Sequence, residues 1–183
     1  MILYSCFAWS ERVRPTEPDG PLWFPRIHQG DGRHDNPDAY GCLYLADREA
    51  AAVVEQLARF RGQRVIPEML VRRGLTLGLA SIELSDRAQV IDLDDPVVLS
   101  AHDLRPSLVA TRRREVTQPQ VLALYRRHRF AAGLRWWSVF EALWGNVTVF
   151  DRAARRLTLG GVRPLTMDDS AVVDAAAFLG LAA

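Results

Sequence analysis

The chain has 183 residues, a length that suits one domain, and 49% of them are hydrophobic, enough for one ordinary core. Lysine plus arginine number 23 against 22 acidic residues, a formal net charge of +1, so no global charge draws the chain to nucleic acid or an anionic membrane. All of the side-chain positive charge is arginine. Two cysteines, Cys6 and Cys42, make no disulfide framework and belong to no CxxC pair. The N-terminal stretch is a poor signal peptide, and no run approaches the ~20 apolar residues of a membrane span, so a soluble, cytoplasmic protein is expected. His28, His34, His102 and His128 show no paired ligand spacing, so no metal site is expected.

In chain order, residues 14–39 are rich in Pro, Gly, Asp and Arg and read as one long ordered loop, a kind of segment that is often functional. A strand follows at 41–46, with Leu43 and Leu45 on one face and Cys42, Tyr44 and Ala46 on the other. Asp47 is the expected N-cap of a helix reaching to about residue 60, with Val53, Val54 and Leu57 as its core stripe. Ala51, Val54, Glu55 and Ala58 lie at i, i+3, i+4 and i+7, which places Glu55 at the border of the buried face, looking toward the sheet.

Further strands are expected at 79–84 and 90–93. Thr117 and Gln120 fit a capping box that opens a helix through Phe130. A turn at Gly133 leads to the segment 134–139, in which one of Trp136 and Trp137 faces the core because adjacent strand residues point opposite ways. Residues 146–150 and 156–159 read as a hairpin joined by 151–155, and 169–179 as a short alanine-rich helix. Strands and helices mix without a βαβ rhythm, so the fold class is α+β in a single domain. Neither GxGxxG nor GxxxxGK[ST] occurs. The run Arg112–Arg114 is followed by Glu115 and lacks interleaved aromatics, so it reads as a solvated face without direct nucleic-acid contact.

The stretch 32–57, GRHDNPDAYGCLYLADREAAAVVEQL, holds an arginine in a loop (Arg33), a tyrosine eleven residues on in a strand (Tyr44) and a glutamate eleven further in a helix (Glu55). It resembles the signature of RES domains: a GR-x-(D/N)-x-P-like loop, a YLA-type strand and a glutamate-bearing helix. PLWF at 21–24, TQPQVLALYRR at 117–127, GLRWWSV at 133–139 and the FEALW…VTVFDR run are similar to further parts of that family. The resemblance spans nearly the whole of residues 1–183, with its core at 12–60 and its closing segment at 117–160. His34 departs from the pattern, since an aromatic residue more often follows the loop arginine.

The resemblance implies an ADP-ribosyltransferase-like mixed β core with flanking helices. It implies an NAD⁺-degrading enzyme, a glycohydrolase or phosphorylase, that is the toxin of a toxin–antitoxin pair with an Xre-type helix-turn-helix antitoxin. NAD⁺ is then the substrate, inorganic phosphate a candidate co-substrate, and a homodimer or a toxin–antitoxin hetero-oligomer the candidate assembly. The alternatives are a mono-ADP-ribosyltransferase acting on a protein and a non-catalytic RES-fold binding module. Carried over by residue, Arg33, Tyr44 and Glu55 match the loop arginine, strand tyrosine and helix glutamate. Arg12 in ERVRP is the preferred match for an N-terminal arginine, with Arg14 and Arg26 as alternatives, and Ser138 matches the late serine.

These residue types suit the chemistry. Breaking an N-glycosidic bond develops oxocarbenium character on the ribose, which a carboxylate such as that of Glu55 stabilises. Arginines such as Arg12 and Arg33 clamp pyrophosphate through charge-assisted, bidentate bonds. Tyr44 can stack on nicotinamide while its hydroxyl meets a ribose or amide group, and Ser138 can orient the carboxylate or the ribose. Together they imply a guanidinium, a phenol and a carboxylate converging on one dinucleotide-sized cleft.

Overall fold

The computed structural model describes residues 1–182. In chain order the elements are β1 (Ile2–Ala8), β2 (Cys42–Ala46), α1 (Glu49–Leu57), β3 (Val71–Arg72), β4 (Leu75–Leu84), β5 (Val90–Asp92), α2 (Pro96–Ala101), α3 (Pro106–Val109), α4 (Arg114–Arg127), β6 (Gly133–Trp137), β7 (Gly145–Phe150), β8 (Leu157–Pro164) and α5 (Ser170–Leu179). The chain divides into two compact units, each assembled from separated segments. The first comprises Met1–Trp23, Ala46–Glu83 and Thr158–Ala183, the second Phe24–Leu45 and Leu84–Leu157.

In the first unit, β4 is the central strand. It pairs antiparallel with β1 from Ile2↔Glu83 to Ala8↔Leu77, antiparallel with β3, and also with β8. Leu77, Leu79 and Ile82 of β4 are buried with Leu3 of β1. Helix α1 packs on β1 and α5, burying Ala51, Val53, Val54 and Leu57 against a face that includes Ala171, Val172 and Ala175. The start of α5 is set by Asp169, whose carboxylate accepts from the Ala171 amide at 2.9 Å, and its end by Gly180 in the left-handed conformation (φ 65°).

In the second unit the strand order is β2–β7–β6–β5. β6 runs antiparallel to β7, from Gly133↔Val149 to Trp137↔Gly145, and parallel to β5. Its core gathers Tyr40, Cys42, Leu93, Leu134, Trp136 and Phe150 with Val121 and Leu124 of α4. All six residues of β7 are buried, the polar Asn146 and Thr148 among them, so both of its faces are covered. The mixed α+β architecture expected from the sequence is the one observed.

Several local expectations are corrected. Helix α1 is capped at Arg48 without a side-chain bond, not by Asp47, and passes into a 3-10 turn after Leu57. Glu55 is exposed and not at the border of the core: the buried arc of α1 is made by Ala51, Ala52, Val53, Val54 and Leu57 and leaves Glu55 on the open side. Thr117 does not cap α4, which starts three residues earlier and carries Pro119 within it, since the Thr117 hydroxyl is spent on the Arg33 carbonyl. The expected hairpin at 146–159 is absent: β7 is laddered to β2 and β6, β8 to β4, and a 3-10 segment, Asp151–Arg156, separates them. The N-terminal strand β1 was not foreseen. No helix among the described residues is long and apolar enough to cross a membrane.

Candidate functional site

The second unit carries its densest polar network in the loop before β2. Gln29 opens it by imitating a strand neighbour: its amide nitrogen donates to the Cys42 carbonyl at 2.6 Å, and its oxygen accepts from the Cys42 amide at 2.8 Å. The loop then turns around one buried carboxylate. Oδ2 of Asp35 accepts from the amides of Gly30 (2.9 Å) and Gly32 (2.7 Å), while Oδ1 accepts from the Tyr44 hydroxyl (2.6 Å). That hydroxyl in turn accepts from the His34 amide at 3.0 Å. Burial first, then the neighbouring Cys42 and Asp35, holds the Tyr44 phenol well above its ordinary pKa, so it stays a donor.

The carbonyl side of the loop is held separately. Gln118 of α4 donates to the carbonyls of Gly32 (2.8 Å) and Gly30 (3.0 Å), Thr117 donates to that of Arg33, and the Tyr40 hydroxyl donates to that of His34 at 2.8 Å. A buried loop backbone must find partners of this kind, and here nearly every one is a side chain.

Arg33 therefore sits between two fixed neighbours. Its guanidinium lies over the Trp136 ring, 4.3 Å from carbon to centroid, and one nitrogen donates to the Val109 carbonyl. His34 meets the same indole in a T-shaped contact, at 4.9 Å and 75°. Here the departure from the expected aromatic residue resolves: the imidazole fills an aromatic slot and adds a polar contact, Nδ1 to Thr148 Oγ1 at 2.8 Å. Full burial, then the adjacent Arg33 charge, lowers the His34 pKa to about 3, so the ring is neutral.

Arg33 and Tyr44 are thus brought together in the second unit through His34 and Asp35. Ser138 is in the same unit but buried, its oxygen accepting from the Phe140 amide at 3.1 Å in the turn that follows β6. Arg26, also there, is tied to the Pro37 carbonyl and lies 3.8 Å from Asp151. Glu55, Arg12 and Arg14 belong to the first unit; all three side chains are exposed, and Arg14 is 3.8 Å from Glu17. Trp136 is the buried member of its tryptophan pair, as the alternation required, and Trp137 is half-buried.

Sequence reasoning missed Asp35, Thr117, Gln118 and Thr148 as parts of this network. Asp35 had a signal, since it fills the acidic position of the GR-x-(D/N)-x-P-like loop. The other three had none, because their partners lie 84 or more residues away in the chain for Thr117, 86 for the Gln118–Gly32 bond and 114 for Thr148. A cavity of about 460 Å³ elsewhere in the unit, lined by residues that include Ile91, Arg127, His128 and Phe130, contains none of the expected site residues.

No curated protein matches the chain. Among solved structures, the crystal structure of the M. tuberculosis MbcT–MbcA toxin–antitoxin complex contains a chain similar in fold, with a TM-score of 0.65 and 21% sequence identity, covering 98% of this chain and 87% of that one. At that identity the likeness speaks for the fold alone. Residues 10–168 match the RES domain, and with that match covering most of its length, the chain belongs to the RES-domain family.

Proposed function

We propose that this protein cleaves NAD⁺ at the nicotinamide–ribose bond, as a glycohydrolase or phosphorylase, and is the toxin of a toxin–antitoxin pair. The observation that carries the reading is the presentation of Arg33. A planar guanidinium laid on an indole, delivered by a loop whose amides and carbonyls are separately fixed, is a preorganised partner for pyrophosphate oxygens. Membership of the RES-domain family supports the substrate, and the toxin–antitoxin context of the MbcT–MbcA complex supports an antitoxin as partner, with the Xre type drawn from the family resemblance alone.

In this reading Arg33 and Arg12 bind the diphosphate, with Arg14 and Arg26 as the alternatives to Arg12. The Glu55 carboxylate stabilises positive charge on the ribose as nicotinamide leaves. The departing bond leaves an electrophilic anomeric carbon that water or inorganic phosphate captures. The Tyr44 ring offers a stacking face for nicotinamide, and Ser138 orients the ribose or the carboxylate.

Incubating the purified protein with NAD⁺, with and without phosphate, tests this directly. Nicotinamide release accompanied by free ADP-ribose marks hydrolysis, and ADP-ribose 1″-phosphate marks phosphorolysis. Label moving from radiolabelled NAD⁺ onto protein would make it a mono-ADP-ribosyltransferase instead, and no nicotinamide release at all would leave a binding module. In cells, expression should arrest growth and lower NAD⁺, and co-expression of the antitoxin should relieve both.

A further inference from the structure

We infer that Asp35 is the positioning residue of this site, and that the Tyr44 hydroxyl acts through Asp35 and not on the ligand. The inference takes Arg33 as the diphosphate-binding arginine of the reading above. Three donors of different origin end on one carboxylate, two backbone amides and a phenol, and the side chain is only 5% exposed. Hydrogen bonds to a charged acceptor are the strong kind, and a neutral replacement cannot satisfy all three. The Tyr44 oxygen donates to Asp35 and accepts from the His34 amide, so its capacity is directed into the loop on both sides of Arg33. The ring remains for stacking, but the hydroxyl's proton is committed to Asp35.

A second observation is independent of those bonds. A Cβ on Gly32 would lie 2.5 Å from Asp35 Oδ1 and 2.6 Å from the Tyr44 hydroxyl oxygen. Gly32 has no left-handed backbone to explain its identity; it is glycine because the clamp leaves no room for a side chain. The Gly–Arg pair at 32–33 is therefore one device. The glycine lets the loop close onto Asp35, and that closure sets where the arginine points.

The experiment combines kinetics, binding and amide exchange on the intact protein. Asp35→Asn and Tyr44→Phe should each raise the KM for NAD⁺ and the Kd for ADP, which carries the diphosphate and nothing to cleave, by about tenfold, with kcat changed less. A merely structural defect would lower the active fraction, and with it kcat, leaving KM unmoved. In a double-mutant cycle, either change placed on Arg33→Ala should add almost nothing, since both act through that arginine. Additive effects would overturn the inference, and for Tyr44→Phe would return its hydroxyl to the ligand. Exchange at the Gly30, Gly32 and His34 amides should accelerate in Asp35→Asn and in Gly32→Ala while β6 and β7 stay protected. If the wild type neither releases nicotinamide nor binds ADP, the NAD⁺ reading falls, and the exchange result still decides the clamp: unchanged protection at these amides overturns it.

Discussion

Nδ1 of His34 and Oγ1 of Thr148 share a hydrogen bond of 2.8 Å inside the second unit, and the Trp136 indole N–H donates to the same hydroxyl at 3.0 Å. All three residues are buried. The imidazole is thus held neutral, with a folded pKa of about 3 against an ordinary value of 6.5. Below pH 6.5 the unfolded chain takes up a proton that the folded chain refuses, so the stability contributed by the neutral ring is complete above that pH. It is lost progressively as pH falls toward 3. From this group alone, unfolding free energy should fall by up to about 1.4 kcal/mol per pH unit across that window. His34→Phe keeps an aromatic edge on Trp136 and removes the titration. Chemical denaturation from pH 7 to 4 should show a shallower slope for the variant, and equal slopes would show that His34 is not the titrating group.

Glu55 lies on the open side of α1, so its removal should separate chemistry from folding. Glu55→Gln leaves the buried Val53, Val54 and Leu57 untouched and is expected to change unfolding free energy by less than ~0.5 kcal/mol. Turnover of NAD⁺ should fall by ~100–1000-fold, the usual effect of deleting a preorganised charge at the transition state. Nicotinamide release at saturating NAD⁺ is the measurement. A variant as active as the wild type, and as toxic when expressed, would remove Glu55 from the mechanism.

The sequence carried the local parts of this picture and lost the distant ones. The strand at Tyr44, the helix at Glu55 and the burial of one of Trp136 and Trp137 follow from periodicities of two and 3.6 residues, which neighbouring residues encode. The loop arginine was legible through the family pattern around it. What failed required partners far along the chain. Thr117 looks like a helix cap by its spacing to Gln120, yet its hydroxyl serves the Arg33 carbonyl. The segments at 146–150 and 156–159 look like a hairpin because they follow one another closely in the chain, yet the strands observed there are each laddered elsewhere. Asp35 was passed over because a loop aspartate between His and Asn has many ordinary uses, and only the fold shows three donors meeting on it.

Gly133 begins β6 at a point where the strands nearly touch. A Cβ there would stand 2.1 Å from the Thr148 carbonyl oxygen and 3.0 Å from the Val149 Cα, both backbone atoms that cannot swing aside. Gly133→Ala should therefore separate β6 from β7 at the Gly133↔Val149 pair and cost about 3 kcal/mol or more. Gly161, with open space around it, is the control: Gly161→Ala should leave stability nearly unchanged. Thermal melts of the two variants side by side make the comparison, and similar midpoints would contradict the close approach.

In the first unit, Arg163 holds the starts of two helices at once. Its guanidinium forks onto Glu49 in the first turn of α1, at 2.9 and 2.6 Å, and donates to Asp169, the N-cap of α5, at 2.9 Å. The bonds to Glu49 and then to Asp169 raise the guanidinium pKa, and Arg163 in turn lowers that of Asp169. Because the Asp169 pKa is depressed on folding, its share of stability is present above the ordinary value of 3.8 and is lost as pH falls through the lower folded value. Arg163→Lys keeps the charge but cannot fork, so one of the two carboxylates loses its partner. With the arginine side chain 43% exposed, solvent screens the pair, and the loss should be about 1 kcal/mol and should shrink in high salt. Denaturant midpoints for wild type and variant at low and at 1 M salt would read both the size and the screening. A loss that persists undiminished in salt would assign the effect to packing of the arginine stem and not to its charge.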